Sequence, residues 1–369
     1  MKIKLPFVDI FDTALEINDD RPTVAREYIY ASELGGSFYD RYQNMIGRVP
    51  TNPPNKIAVR KFKLGALIED YFKLILYKAG LLISEEERVI NDTYQLHVSG
   101  RLDVKFGGGF SFKELDLSEF KFLSFFNLMQ NSLVEYAEKF PDLEIENCLL
   151  EIKSVADHTF NRIMEGGAME HNLLQGFHYA HTKQMPLQLV YFDKNNARMA
   201  SFRVEPNDPY LLRLYKDDIE KMSFYITEGV TPDKERPILF DGKKLSLNWK
   251  VLYSKYLSDY GFDTMQEMKD SHDKTIVSFN RVLKRFFDGD KITDDNKKKF
   301  HEMIKFGIDL PKEIMDVLRP NKTVVVKEKV VTEYKFDTDS KEVVDVKKKV
   351  KVTVPTTKKV SALDKLKGL

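Results

Sequence analysis

Residues Cys148-Leu-Leu-Glu-Ile-Lys-Ser154 form a short apolar run that ends in a carboxylate, one isoleucine and a lysine. The run reads as a buried strand, and on a strand side chains alternate faces with period two. Glu151 and Lys153 therefore point into the same space, with Ile152 packed behind them. An acid and a base side by side on a buried strand are costly unless they serve each other or a metal. Alone, such a pair is a salt bridge at a strand end. What lies on either side of it in the chain decides whether it is more.

The surrounding chain alternates strands and helices. A helical pattern runs from Ile57 to Gly80, with Phe62, Leu64, Leu67, Ile68, Phe72, Ile75 and Leu76 as its apolar face and Gly80 as its C-cap. Ser32 is the expected N-cap of a short helix carrying Phe38, Tyr39 and Tyr42. Arg88 to Val98 suggests a hairpin turning at Asn91-Asp92, and Val98 to Phe106 is a second alternating run closed by Gly107-Gly-Gly109. Asp116 to Phe140 reads as an inserted helix, Met169 to Lys183 as a helix, and Leu187–Phe192 with Met199–Val204 as a strand pair. Tyr210 to Glu228 is periodic at helical spacing, and Trp249, the sole tryptophan, opens a further short helix. Valine–lysine alternation after Val324 predicts a two-stranded ribbon. Its lysines suit either a solvated edge that resists further pairing or a surface that holds DNA or a partner protein.

The expected fold is thus α/β: a central mixed β-sheet flanked by helices, with helical insertions and a C-terminal β-ribbon. The expected divisions are an N-terminal extension (1–27), a core (28–260) with an insertion at about 113–141, a helical region (261–320), and a ribbon with a flexible tail (321–369).

Composition narrows the function classes. Lys and Arg number 58 against 57 Asp and Glu, so any nucleic-acid contact must use a local patch rather than net charge. One cysteine excludes a disulfide framework or a multi-cysteine metal site within the chain. No apolar run is long enough for a membrane helix, and no signal-peptide pattern opens the chain. The expected location is cytoplasmic, in a host cell if the protein is viral, without a membrane partner.

Asp103 lies on the strand before the insertion, and Glu151 on the next core strand. Two carboxylates on neighbouring strands, with the Ile152 backbone carbonyl between Glu151 and Lys153, suit a hard divalent cation. Glu69, in the midst of an apolar helical stretch, is a candidate third carboxylate. Gln175 and Tyr179 are four apart on one helix and share a face, with His171 one turn earlier. An amide and a phenol so placed hold a phosphate or a base edge by hydrogen bonds.

Taken in order, Gly65-x-x-x-Glu69, Gly100-Arg-Leu-Asp103, Glu151-Ile-Lys153-Ser154 and His171-x-x-x-Gln175-x-x-x-Tyr179 resemble the PD-(D/E)XK nuclease superfamily. Within it the likeness is to the RecB-like branch that includes CRISPR-associated exonucleases and phage relatives. The resemblance covers roughly residues 28–260. It implies a restriction-endonuclease-like core, a Mg²⁺ or Mn²⁺ site and hydrolysis of DNA phosphodiester bonds. Carried over, Glu69, Asp103, Glu151 and the Ile152 carbonyl are metal ligands, and Asp103, Glu151, Lys153, Gln175 and Tyr179 form the catalytic set. Arg101, Ser154, His171, Gln175 and Tyr179 are then substrate contacts. Glu69 stands where that branch often has histidine.

Many members of the branch also hold an iron–sulfur cluster on four cysteines. Ser37, Val251 and Ser254 stand near or at those positions here, and such clusters need thiolates, so no cluster is expected. Packing of Trp249, Tyr253 and Tyr256 is expected to close that part of the fold instead. The implied function is a metal-dependent DNA exonuclease acting in recombination, repair or phage DNA processing, with DNA ends as substrate and a recombination or replication protein as partner. The alternatives are a DNA-binding or assembly protein without turnover and a structure-specific endonuclease.

Overall fold

The computed structural model describes residues 24–54, 56–111, 134–135, 137–318, 324–337 and 342–355. Most of the expected insertion, most of the N-terminal extension and the end of the tail lie outside these residues. In chain order the elements are β1 (Tyr28–Tyr30), α1 (Phe38–Met45), α2 (Lys56–Lys78), β2 (Leu82–Asn91), β3 (His97–Gly109), β4 (Glu144–Val155), α3 (Asp157–Gly166) and α4 (Glu170–Lys183). There follow β5 (Leu187–Asp193), β6 (Met199–Val204), α5 (Pro209–Thr227), β7 (Ile238–Phe240), β8 (Leu245–Leu247) and α6 (Trp249–Leu252). The last are α7 (Met265–Phe287), α8 (Asp294–Lys305), α9 (Lys312–Leu318), β9 (Val324–Asp337) and β10 (Glu342–Pro355). The architecture is α/β, with a central mixed sheet flanked by helices, as the sequence pattern predicts.

The sheet runs β1-β3-β4-β5-β6, with β2 paired to the other edge of β3. β1 runs parallel to the start of β3, pairing Tyr28 with His97 through Tyr30 with Ser99. β4 runs antiparallel to its end, pairing Val104 with Leu150 through Gly109 with Glu144. Meanwhile β2 pairs with β3 from Leu82–Phe106 to Asn91–Val98. β1 and β4 therefore share one edge of β3, and the segment Gly100–Asp103 falls in the gap between them. This fork positions the site.

Two apolar layers hold the sheet. On one side Leu174, Phe177 and Tyr179 of α4 and Leu211, Tyr215 and Ile219 of α5 pack with Ile29, Leu149, Leu187, Leu189 and Tyr191. On the other, Ile68, Phe72 and Leu76 of α2 pack on Val104, Leu150, Ile152 and Val190. Each fully buried large side chain contributes about 1.5–3 kcal/mol of transfer free energy. Helix α2 ends as predicted. Gly80 has φ +72°, its N–H donates to the Tyr77 carbonyl, and the Leu81 N–H donates to that of Leu76, the pairing that ends a helix on a left-handed glycine.

Three local expectations are corrected. Ser37, not Ser32, caps α1, its Oγ accepting from the Asp40 N–H at 3.0 Å, while Ala31–Glu33 forms a 3-10 turn. β2 begins at Leu82, so the hairpin is longer than its alternating part. The apolar face of α2 is only half used: Ile68, Phe72 and Leu76 pack, whereas Phe62, Leu64 and Leu67 are exposed.

The described chain divides into two units, Met1–Leu239 with Ser246–Thr275, and Phe240–Leu245 with Ile276–Leu369. The second has its own core of Phe279, Leu283, Phe300, Met303 and Ile314, all buried. Thr293 caps α8 by accepting from the Asn296 N–H. β9 and β10 pair antiparallel from Asp337–Glu342 to Val324–Pro355, the expected ribbon.

Candidate active site

At the fork the β3–β4 ladder stops at Val104–Leu150, and the next register step sets Asp103 opposite Glu151. The Ile152 N–H, just past the last ladder pair, donates to Asp103 Oδ2 at 2.8 Å. A carboxylate thus takes over the ladder where the strands part. Glu151 is 2% exposed, and its Oε1 accepts from Lys153 Nζ at 2.6 Å and from Gln175 Nε2 at 2.8 Å. Gln175 Nε2 also donates to the Tyr179 hydroxyl at 3.3 Å, and that hydroxyl donates to the Arg101 carbonyl at 3.0 Å. The Arg101 carbonyl lies in the gap between β1 and β4, so the phenol joins α4 to the strand there.

Glycine makes this possible. A Cβ on Gly100 would lie 2.6 Å from the Tyr179 hydroxyl and 2.7 Å from the Ala31 Cβ. Gly100→Ala is therefore expected to push Tyr179 off the Arg101 carbonyl and to destabilise the protein by about 1–3 kcal/mol through overpacking. Urea denaturation checks this; unchanged stability would mean that the ring has room to move. On the opposite face a Cβ at Gly65, in mid-helix, would come 3.3 Å from Ser154 Oγ, so α2 crosses close to the end of β4.

The electrostatics follow from this crowding. Burial and then the charge of Asp103 raise the Glu69 carboxyl to about 7. Burial raises Glu151 to about 8; Lys153 opposes the rise, and Asp103 and Glu69 add to it. Asp103 is raised too, by burial, against the Ile152 N–H that lowers it. Burial works against the charge of Lys153, yet Glu151 beside it holds the ammonium above its usual range. Three carboxylates thus repel one another around the Lys153 ammonium, with Lys73 also offsetting Glu69 and Asp103.

Glu151 Oε2 is buried and has no hydrogen-bond partner. An orphaned buried carboxylate oxygen beside a second carboxylate suits a hard cation. Among the described residues no group of three or more His, Cys, Asp or Glu side chains stands gathered as a cage. Mg²⁺ needs none: it is commonly held by one or two carboxylates, with waters and substrate phosphate completing its shell. Asp103, Glu151 and the Ile152 carbonyl fit that pattern. Glu69 is near enough to repel both carboxylates without completing such a cage.

The charge distribution sets a pH dependence. A carboxyl whose folded pKa is raised binds its proton more tightly folded than unfolded, so stability falls as pH climbs from the unfolded value to the folded one. Between about pH 4.5 and pH 8 the cation-free protein is expected to lose melting temperature through Glu151 and Glu69. Asp103→Asn, which keeps an acceptor for Ile152 but drops a charge, should flatten that fall. Added Mg²⁺ should stabilise wild type more at the alkaline end. Melting curves in EDTA and in Mg²⁺ across this range provide the check. A wild-type slope no steeper than that of Asp103→Asn would remove the repulsion account.

The remaining predicted contacts divide. His171 packs against Trp249 with the rings tilted, their centroids 4.8 Å apart and planes at 35°. Burial, then Lys153, Lys250 and Arg162, lowers its imidazole to about 4, so it is neutral at pH 7. The Arg101 side chain is 74% exposed and pairs with Glu86, which also binds Lys73 of α2; its carbonyl, not its guanidinium, joins the network by accepting from the Tyr179 hydroxyl. Lys73, Glu86, Arg162 and Lys250 went unmarked in the sequence because lone charges on amphipathic elements carry no spacing signal.

No thiol is available for an iron–sulfur cluster near Ser37. Asp40 bridges the two segments instead, its N–H bonded to Ser37 Oγ and its carboxylate accepting from Ser254 Oγ at 2.8 Å and the Lys255 N–H at 2.9 Å. Tyr256 is fully buried, its one hydroxyl proton shared between Asn44 Oδ1 at 3.0 Å and the Arg48 carbonyl at 2.9 Å. Tyr256 closes this region as expected, but Tyr253 is 68% exposed and Trp249 40% exposed, so neither packs as a plug. Cys148 is buried on β4 with its thiol raised to about 11 by burial, which leaves it unreactive.

No family model matches the chain, and neither does any curated protein. Among solved structures it is similar to the crystal structure of SSO0001, at 14% identity and a TM-score of 0.35, over 63% of this chain and 100% of that one. No helix among the described residues is long and apolar enough to cross a membrane.

Proposed function

We propose that this protein is a metal-dependent DNA nuclease, acting as an exonuclease on DNA ends in recombination, repair or phage DNA processing. The observation that carries the reading is the buried, unpartnered Glu151 Oε2 set opposite Asp103 at the point where β3 and β4 part. The ordered motifs that resemble the PD-(D/E)XK superfamily support it, because Asp103, Glu151, Lys153, Gln175 and Tyr179 are linked by hydrogen bonds or strand register at that one point.

Asp103, Glu151 and the Ile152 carbonyl would hold Mg²⁺ or Mn²⁺, which when bound supplies Lewis acidity toward a phosphoryl oxygen and lowers the pKa of a bound water. Lys153 keeps its proton beside Glu151 and offers a fixed positive charge to a scissile phosphate. Gln175 anchors Glu151 Oε1, which leaves Oε2 turned away from its protein donors. Tyr179 keeps its proton at neutral pH, since burial and Glu151 both raise its pKa, and so acts as a hydrogen-bond donor that locks α4 onto β3.

The test is degradation of end-labelled linear DNA with Mg²⁺ or Mn²⁺. Wild type should shorten the strand, and Asp103→Ala and Lys153→Ala should not. Equal rates in all three would show that the site is elsewhere, and no degradation by any would favour a DNA-binding role. Cutting of closed circular DNA would replace the exonuclease with an endonuclease.

A further inference from the structure

The site described above uses no residue of the β9–β10 ribbon. The two strands are 14 residues each, about 45 Å at the rise of an antiparallel strand. They pair with no third strand among the described residues. A two-stranded hairpin in water is marginal by itself, so one this long points to a partner. Charge along it is divided. In the half far from the connection between the strands, positions 324–332 and 347–355 hold Lys327, Lys329, Lys347, Lys348, Lys349 and Lys351 against one acid, Glu328. In the half next to the connection, positions 333–337 and 342–346 hold Lys335 against Glu333, Asp337, Glu342 and Asp345.

The register sharpens the imbalance. Lys351 stands opposite Glu328, but the other five lysines of the basic half stand opposite Val or Thr. Opposite charges across a strand pair stabilise it, and this half nearly forgoes them. Lysines that only guarded the edges would not need to gather in one half. Cross-strand partners share a face, so Lys347, Lys349 and Lys351 fall on one face and Lys327, Lys329 and Lys348 on the other. Cations on both faces suit a groove bounded by phosphate on each side, and the major groove of a duplex admits a two-stranded ribbon. A single strand asks instead for aromatic platforms. The basic half has no aromatic residue; Tyr334 and Phe336 lie in the other half.

We propose that the basic half of the β9–β10 ribbon is a contact surface for the phosphate backbone of duplex DNA, engaged without regard to base sequence. DNA as the ligand rests on the nuclease reading; the ribbon adds a holding surface built from residues outside the Asp103–Glu151–Lys153 centre.

The experiment uses the full chain in EDTA, so that no strand is cut, and follows the anisotropy of a labelled duplex from about 50 to 200 mM salt. Each phosphate contact contributes about 0.9 to the slope of log affinity against log salt. Lys347→Gln, Lys348→Gln, Lys349→Gln and Lys351→Gln combined should therefore make that slope shallower by about 3 and cost about tenfold or more in affinity at the low-salt end. Arginine at the same four positions should preserve both. Lys216→Gln, Lys243→Gln, Lys274→Gln and Lys291→Gln combined remove the same charge from exposed positions elsewhere, and should move the slope by less than about 1. Two duplexes of unlike sequence should bind alike, and the ribbon variant should lose more on a duplex than on a single strand of the same length. An unchanged slope in the ribbon variant, an equal loss in the control set, or a larger loss on the single strand would each overturn the proposal; the first would return the ribbon to a solvated edge or a protein contact. Melting curves confirm that the variants fold. Because no cleavage is measured, an inactive Asp103/Glu151 centre would leave a positive result standing, and an unchanged slope beside normal cleavage would remove the ribbon alone.

Discussion

Lys153→Met is expected to slow the proposed phosphodiester cleavage by about 10²–10³-fold, the usual cost of removing one preorganised electrostatic donor. Methionine keeps most of the aliphatic stem and removes the ammonium. The side chain is 26% exposed, so little packing is lost. Glu151 Oε1 keeps its bond from Gln175, so the carboxylate stays anchored. Charge is what changes: the ammonium held at 2.6 Å from Glu151 is gone, and only Lys73 is left to offset Glu69 and Asp103. The variant should therefore bind Mg²⁺ at least as well as wild type while turning over far more slowly. Single-turnover rates on end-labelled DNA, paired with Mg²⁺-dependent melting shifts, separate the two effects. A rate within a few-fold of wild type would remove Lys153 from the chemistry.

Asp218→Ala is expected to cost about 3–5 kcal/mol of stability, among the largest effects available to a single substitution in this chain. Asp218 of α5 and Arg41 of α1 form a two-pronged pair, Nη1 to Oδ2 at 2.6 Å and Nη2 to Oδ1 at 2.9 Å, with side chains only 2% and 9% exposed. The Arg41 guanidinium also lies 4.5 Å from the Phe38 ring centroid. Removing the carboxylate strands a buried cation whose Nε already lacks a partner. Replacing both residues by apolar ones, Arg41→Met with Asp218→Leu, should recover most of the loss, because a buried pair gains little over a well-packed apolar contact. Urea titration of the single and double variants decides it. A double variant as unstable as the single one would show that the pair fixes the α1–α5 geometry in a way apolar packing does not.

The strand core was legible because its residues alternate or run apolar: Leu149, Leu150 and Ile152 specify β4 without help. What the pattern hid is what tertiary pairing supplies. Leu82-Ile-Ser-Glu-Glu-Glu87 has an acidic run poorly suited to a strand, yet β3 recruits it from one side. Helix α3 begins after Ala156, which offers no capping side chain, so its start carries no mark. Ser37 outcompetes Ser32 as a cap because Gly35 and Gly36 interrupt any helix begun at Ser32, while Asp40 follows Ser37 at cap spacing. On α2 the periodicity showed an apolar face wider than the sheet it meets. At the site, residue identities could be read from the sequence, but the fork could not. It arises because β1 and β4 stop short of each other on one edge of β3, and no local motif records where a partner strand ends.

That interrupted edge has a consequence for motion. Ladder bonds hold β3 to β1 on one side of Gly100–Asp103 and to β4 on the other, and between them that edge relies on Tyr179 and on the Asp103–Ile152 bond. Local opening should therefore start there, at a free energy well below global unfolding. A divalent ion held by Asp103 and Glu151 would fasten the seam where the ladder ends. Amide exchange at Ile152 is accordingly expected to slow with Mg²⁺ by more than exchange at Leu189 on the neighbouring strand. Uniform slowing across the sheet would mean that the fork does not breathe by itself.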